Sequence, residues 1–109
     1  MKYLITESQY NKAIDMFITY QMEPHEEKKY PDFIYWIKDG KFIAKLEIEK
    51  PVEFFLLTDI WNSISNMFSF DYYETQSVIK IWLEEHHNLG RLTPFALGPS
   101  LLAKVGRTS

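Results

Sequence analysis

The sequence predicts an α+β fold: an N-terminal helix, an antiparallel two- or three-stranded sheet, two C-terminal helices and an extended apolar tail. Three observations lead there. An apolar stripe at helical spacing runs from Tyr10 to Ile18. Asp39-Gly40 sits between two runs of apolar residues. Two further helical stripes flank the break Ser69-Phe70-Asp71. A chain of 109 residues, 46% hydrophobic, is long enough for one domain and too short for two. The expected division is one α+β domain over residues 1–90 and a tail over residues 91–109.

The first helix is expected over about residues 7–20. Thr6 is placed to cap it, Gln9 stands three residues on as a capping box requires, and Ile5 and Tyr10 are spaced for a hydrophobic staple. Tyr10, Ala13, Ile14, Phe17 and Ile18 form its apolar stripe, with Lys12, Asp15 and Thr19 facing away. Residues 21–31, with two prolines around a charge cluster, read as a linker.

Asp39-Gly40 is a favoured pair for a two-residue type I′ turn. That turn sets Lys38 opposite Lys41, Ile37 opposite Phe42, Trp36 opposite Ile43 and Tyr35 opposite Ala44, although the unfavourable Lys38–Lys41 pairing leaves a turn longer by one residue as the alternative. One face then collects Phe33, Tyr35, Ile37, Phe42, Ala44, Leu46 and Ile48, and is expected to be the core. The other is expected to be wet, with Lys38, Lys41, Lys45, Glu47 and Glu49 around an apolar island of Ile34, Trp36 and Ile43. Beyond Pro51, the short run Val52 to Leu57 suits a third strand.

Thr58 or Asp59 is placed to cap the next helix, whose stripe is Ile60, Trp61, Ile64, Met67 and Phe68. Asp71 or Ser69 is placed to cap the following one, and Glu74 stands three residues after Asp71. Its expected inner face is Tyr72, Thr75, Val78, Ile79, Trp82 and Leu83, with Asn88 and Gly90 as the stop. The tail carries Leu92, Phe95, Leu97, Leu101, Leu102 and Val105. Each such side chain left in water forfeits about 1.5–3 kcal/mol, so the tail should dock on its own domain or on another chain.

Composition narrows the function. With no cysteine, the chain is not a disulfide scaffold and has neither a thiolate metal site nor a cysteine nucleophile. No apolar run is long enough for a membrane helix, and the N-terminus lacks a signal-peptide pattern, so a cytoplasmic protein is expected. Residues 1–90 hold nine basic and fifteen acidic side chains, net −6, whereas residues 91–109 hold three basic and no acidic ones, net +3. An acidic domain argues against nucleic acid, whose phosphates demand a basic face.

Motifs are sparse. Glycines are scattered rather than gathered into a phosphate loop, and no nucleophile elbow is present. His25 with Glu26 and Glu27 reads as a solvated charged loop, because no second ligand cluster accompanies it. His86 and His87 are adjacent, so on a helix they point about 100° apart. Glu84 and His87 have bundle-type ligand spacing but no facing partners. Glu47 and Glu49 read as a solvated strand face. The sequence therefore assigns no catalytic residue, no metal and no cofactor.

Two alternatives remain. The helix pair resembles a helix-turn-helix, whose second helix would present Tyr73, Gln76, Ser77 and Lys80 to a groove, although it holds one lysine and then Glu84 and Glu85. A small enzyme of scattered site residues is the other. The favoured expectation is a non-catalytic interaction protein, binding a protein partner or forming a homo-oligomer through Ile34, Trp36 and Ile43 on the sheet and Leu92, Phe95, Leu97, Leu101 and Leu102 in the tail. On that reading, Trp36→Ala weakens association and leaves folding intact.

Leu4-Ile5-Thr6-Glu7-Ser8-Gln9-Tyr10 resembles the opening of small uncharacterised proteins of tailed phages, notably those infecting Bacteroidetes. Ile60-Trp61-Asn62-Ser63-Ile64, Met67-Phe68-Ser69, Glu74-Thr75-Gln76 and Ile79 to Trp82-Leu83 resemble another recurring phage pattern. Together they cover about a third of the chain. The resemblance implies a viral origin and supplies no functional residues; the interaction protein expected above is then a virion or assembly accessory, or a binder of a host factor.

Overall fold

The computed structural model describes residues 7–48, 53–89 and 91–104. Its elements in chain order are α1 (Glu7–Met22), β1 (Glu26–Lys29), β2 (Phe33–Lys38), β3 (Lys41–Glu47), β4 (Glu53–Leu57), α2 (Thr58–Phe68), α3 (Tyr72–His87), β5 (Pro94–Leu97) and α4 (Pro99–Lys104). The fold is α+β, but the sheet is larger than the expected two or three strands. Among the described residues it has five, in the order β1-β2-β3-β4-β5. Neighbours from β1 to β4 are antiparallel, and β5 lies parallel to β4. A parallel pair needs a long crossover, here supplied by α2 and α3.

Three elements come from segments read as irregular. Glu26–Lys29, inside the expected linker, is an edge strand with every residue exposed. Such a strand is invisible to hydrophobic patterning, and its charges blunt a free sheet edge. Residues 94–104, expected as extended tail, form β5 and α4. Leu92 and Leu102 are buried, Phe95 and Leu97 are half-buried, and Leu101 is exposed.

The hairpin turn is as expected. Asp39 (φ 53°) and Gly40 (φ 77°) both adopt positive φ, as a type I′ turn requires. Lys38 stands opposite Lys41 and Ile37 opposite Phe42. The Lys38 ammonium donates to the Tyr20 carbonyl at 2.7 Å at the C-terminal end of α1, where carbonyls lack helical partners and the dipole favours a cation.

Beyond Ile37 the register shifts. Trp36 pairs with Ala44, not Ile43, Tyr35 with Lys45, and Ile34 with Leu46. One extra residue on β3 makes a bulge, and a one-residue shift moves every later side chain to the other face. The expected faces are therefore inverted along β2. Trp36 is 1% exposed and packs in the core with Ala44, Leu46, Phe54 and Leu56 beneath α1, α2 and α3, and Ile34 packs against that core. Ile43 is buried too. The expected exposed island of Ile34, Trp36 and Ile43 does not exist. Phe42 and Ile48, expected inside, are exposed.

The helices keep most of their expected faces. Ile14 and Ile18 of α1, Ile60, Trp61 and Ile64 of α2, and Ile79, Trp82 and Leu83 of α3 are buried together. Tyr10, Ala13, Met67 and Tyr72, expected in the stripes, are exposed instead. Thr19, expected to face away, accepts a 2.9 Å bond from the Trp82 indole. The capping box is complete: Asp71 Oδ1 accepts from the Glu74 amide at 2.8 Å, and Glu74 Oε1 from the Asp71 amide at 2.9 Å. For α2 the cap position is Leu57, with no side-chain cap bond, because β4 runs straight into the helix and neither Thr58 nor Asp59 occupies that position. Ser69 and Asn88 end α2 and α3 in the left-handed conformation. Thr6, Ile5, Glu49, Pro51, Val52, Gly90 and Val105 lie outside the described residues.

Candidate functional sites

The outer sheet face, away from α1–α3, is aromatic. The register aligns Lys28, Tyr35, Lys45, Phe55 and Phe95 in one row across all five strands. Phe33 and Tyr30 stack at 4.6 Å between ring centroids, Phe33 meets Tyr35 edge-on at 5.1 Å, and Tyr35 stacks on Phe42 at 4.3 Å. These rings form a continuous strip over β2 and its flanks. Beside it, α4 packs on β3 and β4 and buries Leu102, whose carbonyl accepts a 3.1 Å bond from the Tyr35 hydroxyl. Leu101, the preceding residue of α4, is 56% exposed.

Lys45 lies within this face, although its sequence neighbours suggested a wet strand. It is 1% exposed. Its ammonium pairs with Glu47 and stands 4.8 Å from the Phe33 ring centre and 5.9 Å from that of Phe55. A buried ammonium needs such partners, since desolvation without them costs several kcal/mol.

A second site gathers histidines from opposite ends of the chain. α1 ends at Met22, and the cis bond Glu23-Pro24 and His25 follow immediately. His25 stacks on Trp36, with centroids 4.0 Å apart and planes at 14°. Its Nδ1 lies 3.1 Å from the Met22 carbonyl, which accepts from it, and 3.1 Å from Glu23 Oε1. At the end of α3, His87 Nε2 lies 2.8 Å from Glu23 Oε2, although 64 positions separate the two residues. Glu23 thus holds one carboxylate oxygen toward each imidazole. One ligand atom from each of Glu23, His25 and His87 lies within 4.8 Å of the others. The His25 side chain is 5% exposed, that of His87 23% and that of Glu23 31%, so the cluster is built on the core and open to solvent on one side. His86 points elsewhere, to Asp15 at 2.6 Å.

No local signal in the sequence brings these residues together. Glu23 and His25 are two positions apart, but the sequence grouped His25 with Glu26 and Glu27, and nothing local links either residue to His87 beside His86 and Glu84. The meeting requires α3 to run back over β2, and it is anchored by Trp36, which the expected register had placed on the wrong face.

The helix-turn-helix residues are not presented as a unit. Tyr73, Ser77 and Lys80 are exposed, but the Gln76 amide donates to the Pro94 carbonyl at 2.8 Å. Together with the Tyr72 hydroxyl, which accepts from the Ala96 amide at 3.4 Å, it supports β5, the second edge of the sheet. Among the described residues, no helix is long and apolar enough to cross a membrane.

No family model, curated protein or solved structure matches this chain.

Proposed function

We propose that the protein is a non-catalytic interaction protein that self-associates through the outer face of its sheet. The observation that supports this reading is the juxtaposition of an exposed apolar knob with an exposed aromatic strip. Leu101 on α4 is 56% exposed, while Tyr30 and Phe42, each 37% exposed, bound the ring-to-ring strip over β2. Large apolar side chains grouped in this way mark association surfaces, and aromatic anchors concentrate binding energy.

The occupant we assign is a second copy of the chain. A two-fold axis near the boundary of α4 and β2 lays α4 of each copy on the aromatic strip of the other, so both knobs and both strips are used. Phe95 and Leu97, half-buried in β5, lie beside this face. Leu92, Leu102 and the Trp36 group serve the fold instead. On the resemblance to tailed-phage proteins, we propose a virion or assembly accessory as the setting.

Sedimentation velocity over a range of concentrations tests the reading. The expected result is a dimer that Leu101→Glu converts to a folded monomer, with an unchanged far-UV circular dichroism spectrum. A wild-type monomer at every concentration, or a Leu101→Glu dimer, overturns it.

A further inference from the structure

We infer that Glu23, His25 and His87 form a binding site for a divalent transition-metal ion, with Zn²⁺ as its representative. Three features carry the inference. First, the donor set is two imidazoles and one carboxylate, a combination that binds ions of the zinc and ferrous-iron class and leaves coordination positions open. Second, the ligand atoms already lie within 4.8 Å of one another. The edge of a tetrahedral site with bonds of about 2.0–2.1 Å is roughly 3.3 Å, so only small side-chain rotations separate this arrangement from coordination.

Third, the surroundings are those of a held ligand. His25 is fixed by its stack on Trp36 and by its Nδ1 bond to the Met22 carbonyl. A ring nitrogen bonded to a backbone carbonyl orients the imidazole and raises the basicity of the other nitrogen. Glu27 Oε2 lies 4.0 Å from that other nitrogen, Nε2, and is a further oxygen donor beside the cluster. On the opposite side, the proton between His87 Nε2 and Glu23 Oε2 is the one an ion would displace. Partial exposure of Glu23 and His87 leaves room for water in a fourth position.

The site is separate from the outer sheet face, since His25 and His87 both pack on Trp36 on the helical side of the sheet. The inference therefore stands independently of the self-association reading.

The test is isothermal titration of the purified full chain with Zn²⁺, and with Co²⁺ as an absorbing probe. The expected result is saturable one-to-one Zn²⁺ binding and a Co²⁺ visible spectrum indicating nitrogen and oxygen ligands. His87→Gln and Glu23→Gln should each weaken binding at least about tenfold. His86→Ala, which removes a neighbouring imidazole from outside the cluster, should leave affinity unchanged. Circular dichroism confirms that each variant is folded. His25→Ala removes a nearly buried ring, so it is not the deciding variant. Absence of saturable Zn²⁺ binding, binding that survives both His87→Gln and Glu23→Gln, or binding lost equally in His86→Ala overturns the assignment.

Discussion

Trp36→Ala separates the bulged register from a regular hairpin. In the structure Trp36 is 1% exposed and meets Phe54 at 5.2 Å, Trp82 at 6.4 Å and the imidazoles of His25 and His87 at 4.0 and 4.7 Å between ring centroids. Truncating a buried ring of this size costs about 3–5 kcal/mol through lost transfer energy and the cavity left behind. A domain of this size is stable by only about 5–15 kcal/mol, so the variant forfeits a large share of the total. At about 4 °C per kcal/mol, the melting temperature should fall by roughly 12–20 °C. Phe42→Ala is the matched control. A regular hairpin places Phe42 in the core, whereas the bulged one leaves it 37% exposed with a single stack on Tyr35. Its expected cost is about 1–2 kcal/mol, or roughly 4–8 °C. Differential scanning calorimetry suits the pair, because it does not depend on tryptophan emission. A smaller shift for Trp36→Ala than for Phe42→Ala would refute the inverted faces and the bulge that produces them.

Two further outcomes follow from the same packing. Glu47→Ala leaves the buried Lys45 ammonium with only aromatic faces around it, and should cost about 1–3 kcal/mol in urea denaturation, whereas Lys45→Met, which removes the charge and keeps the volume, should cost less; the reverse order would show that the pair is not buried as described. Asp71→Ala removes the acceptor of the α3 capping box and should cost about 1 kcal/mol, most of it restored by Asp71→Asn or Asp71→Ser; equal stability of Asp71→Ala and wild type would mean that the box contributes nothing.

The candidate sites were legible only in pieces. Leu101 was named among the apolar residues seeking a partner, and it is exposed on α4. Leu92 and Leu102 belonged to the same apolar segment, but they dock on their own domain. Gln76 has the chemistry of a base reader, yet its amide supports an edge strand. The histidine cluster was not legible, because each of its members looks like an ordinary polar residue among its own neighbours. Lys45 is the clearest case on the outer face. Alternation places it correctly on the face opposite Leu46, but nothing local says that α4 and the phenylalanines of β2 and β4 close around that face.

By itself the sequence determined what neighbours within about four residues decide. The three long helices follow from their stripes, the break between α2 and α3 from Ser69-Phe70-Asp71, the start of α3 from Asp71 and Glu74, its end from Asn88, and the type I′ turn from Asp39-Gly40. Each depends on local backbone preferences and short-range hydrogen bonds, which the chain carries with it wherever it packs. Tertiary structure alone decided the bulge opposite Trp36, the pairing of β1 with β2 and of β5 with β4, and the meeting of Glu23 and His25 with His87. Pairing between strands has a period of two, so one inserted residue exchanges the faces, and only the competition of whole faces for burial selects the register. The choice that buries Trp36 beneath α1–α3 also stacks His25 and His87 on its ring.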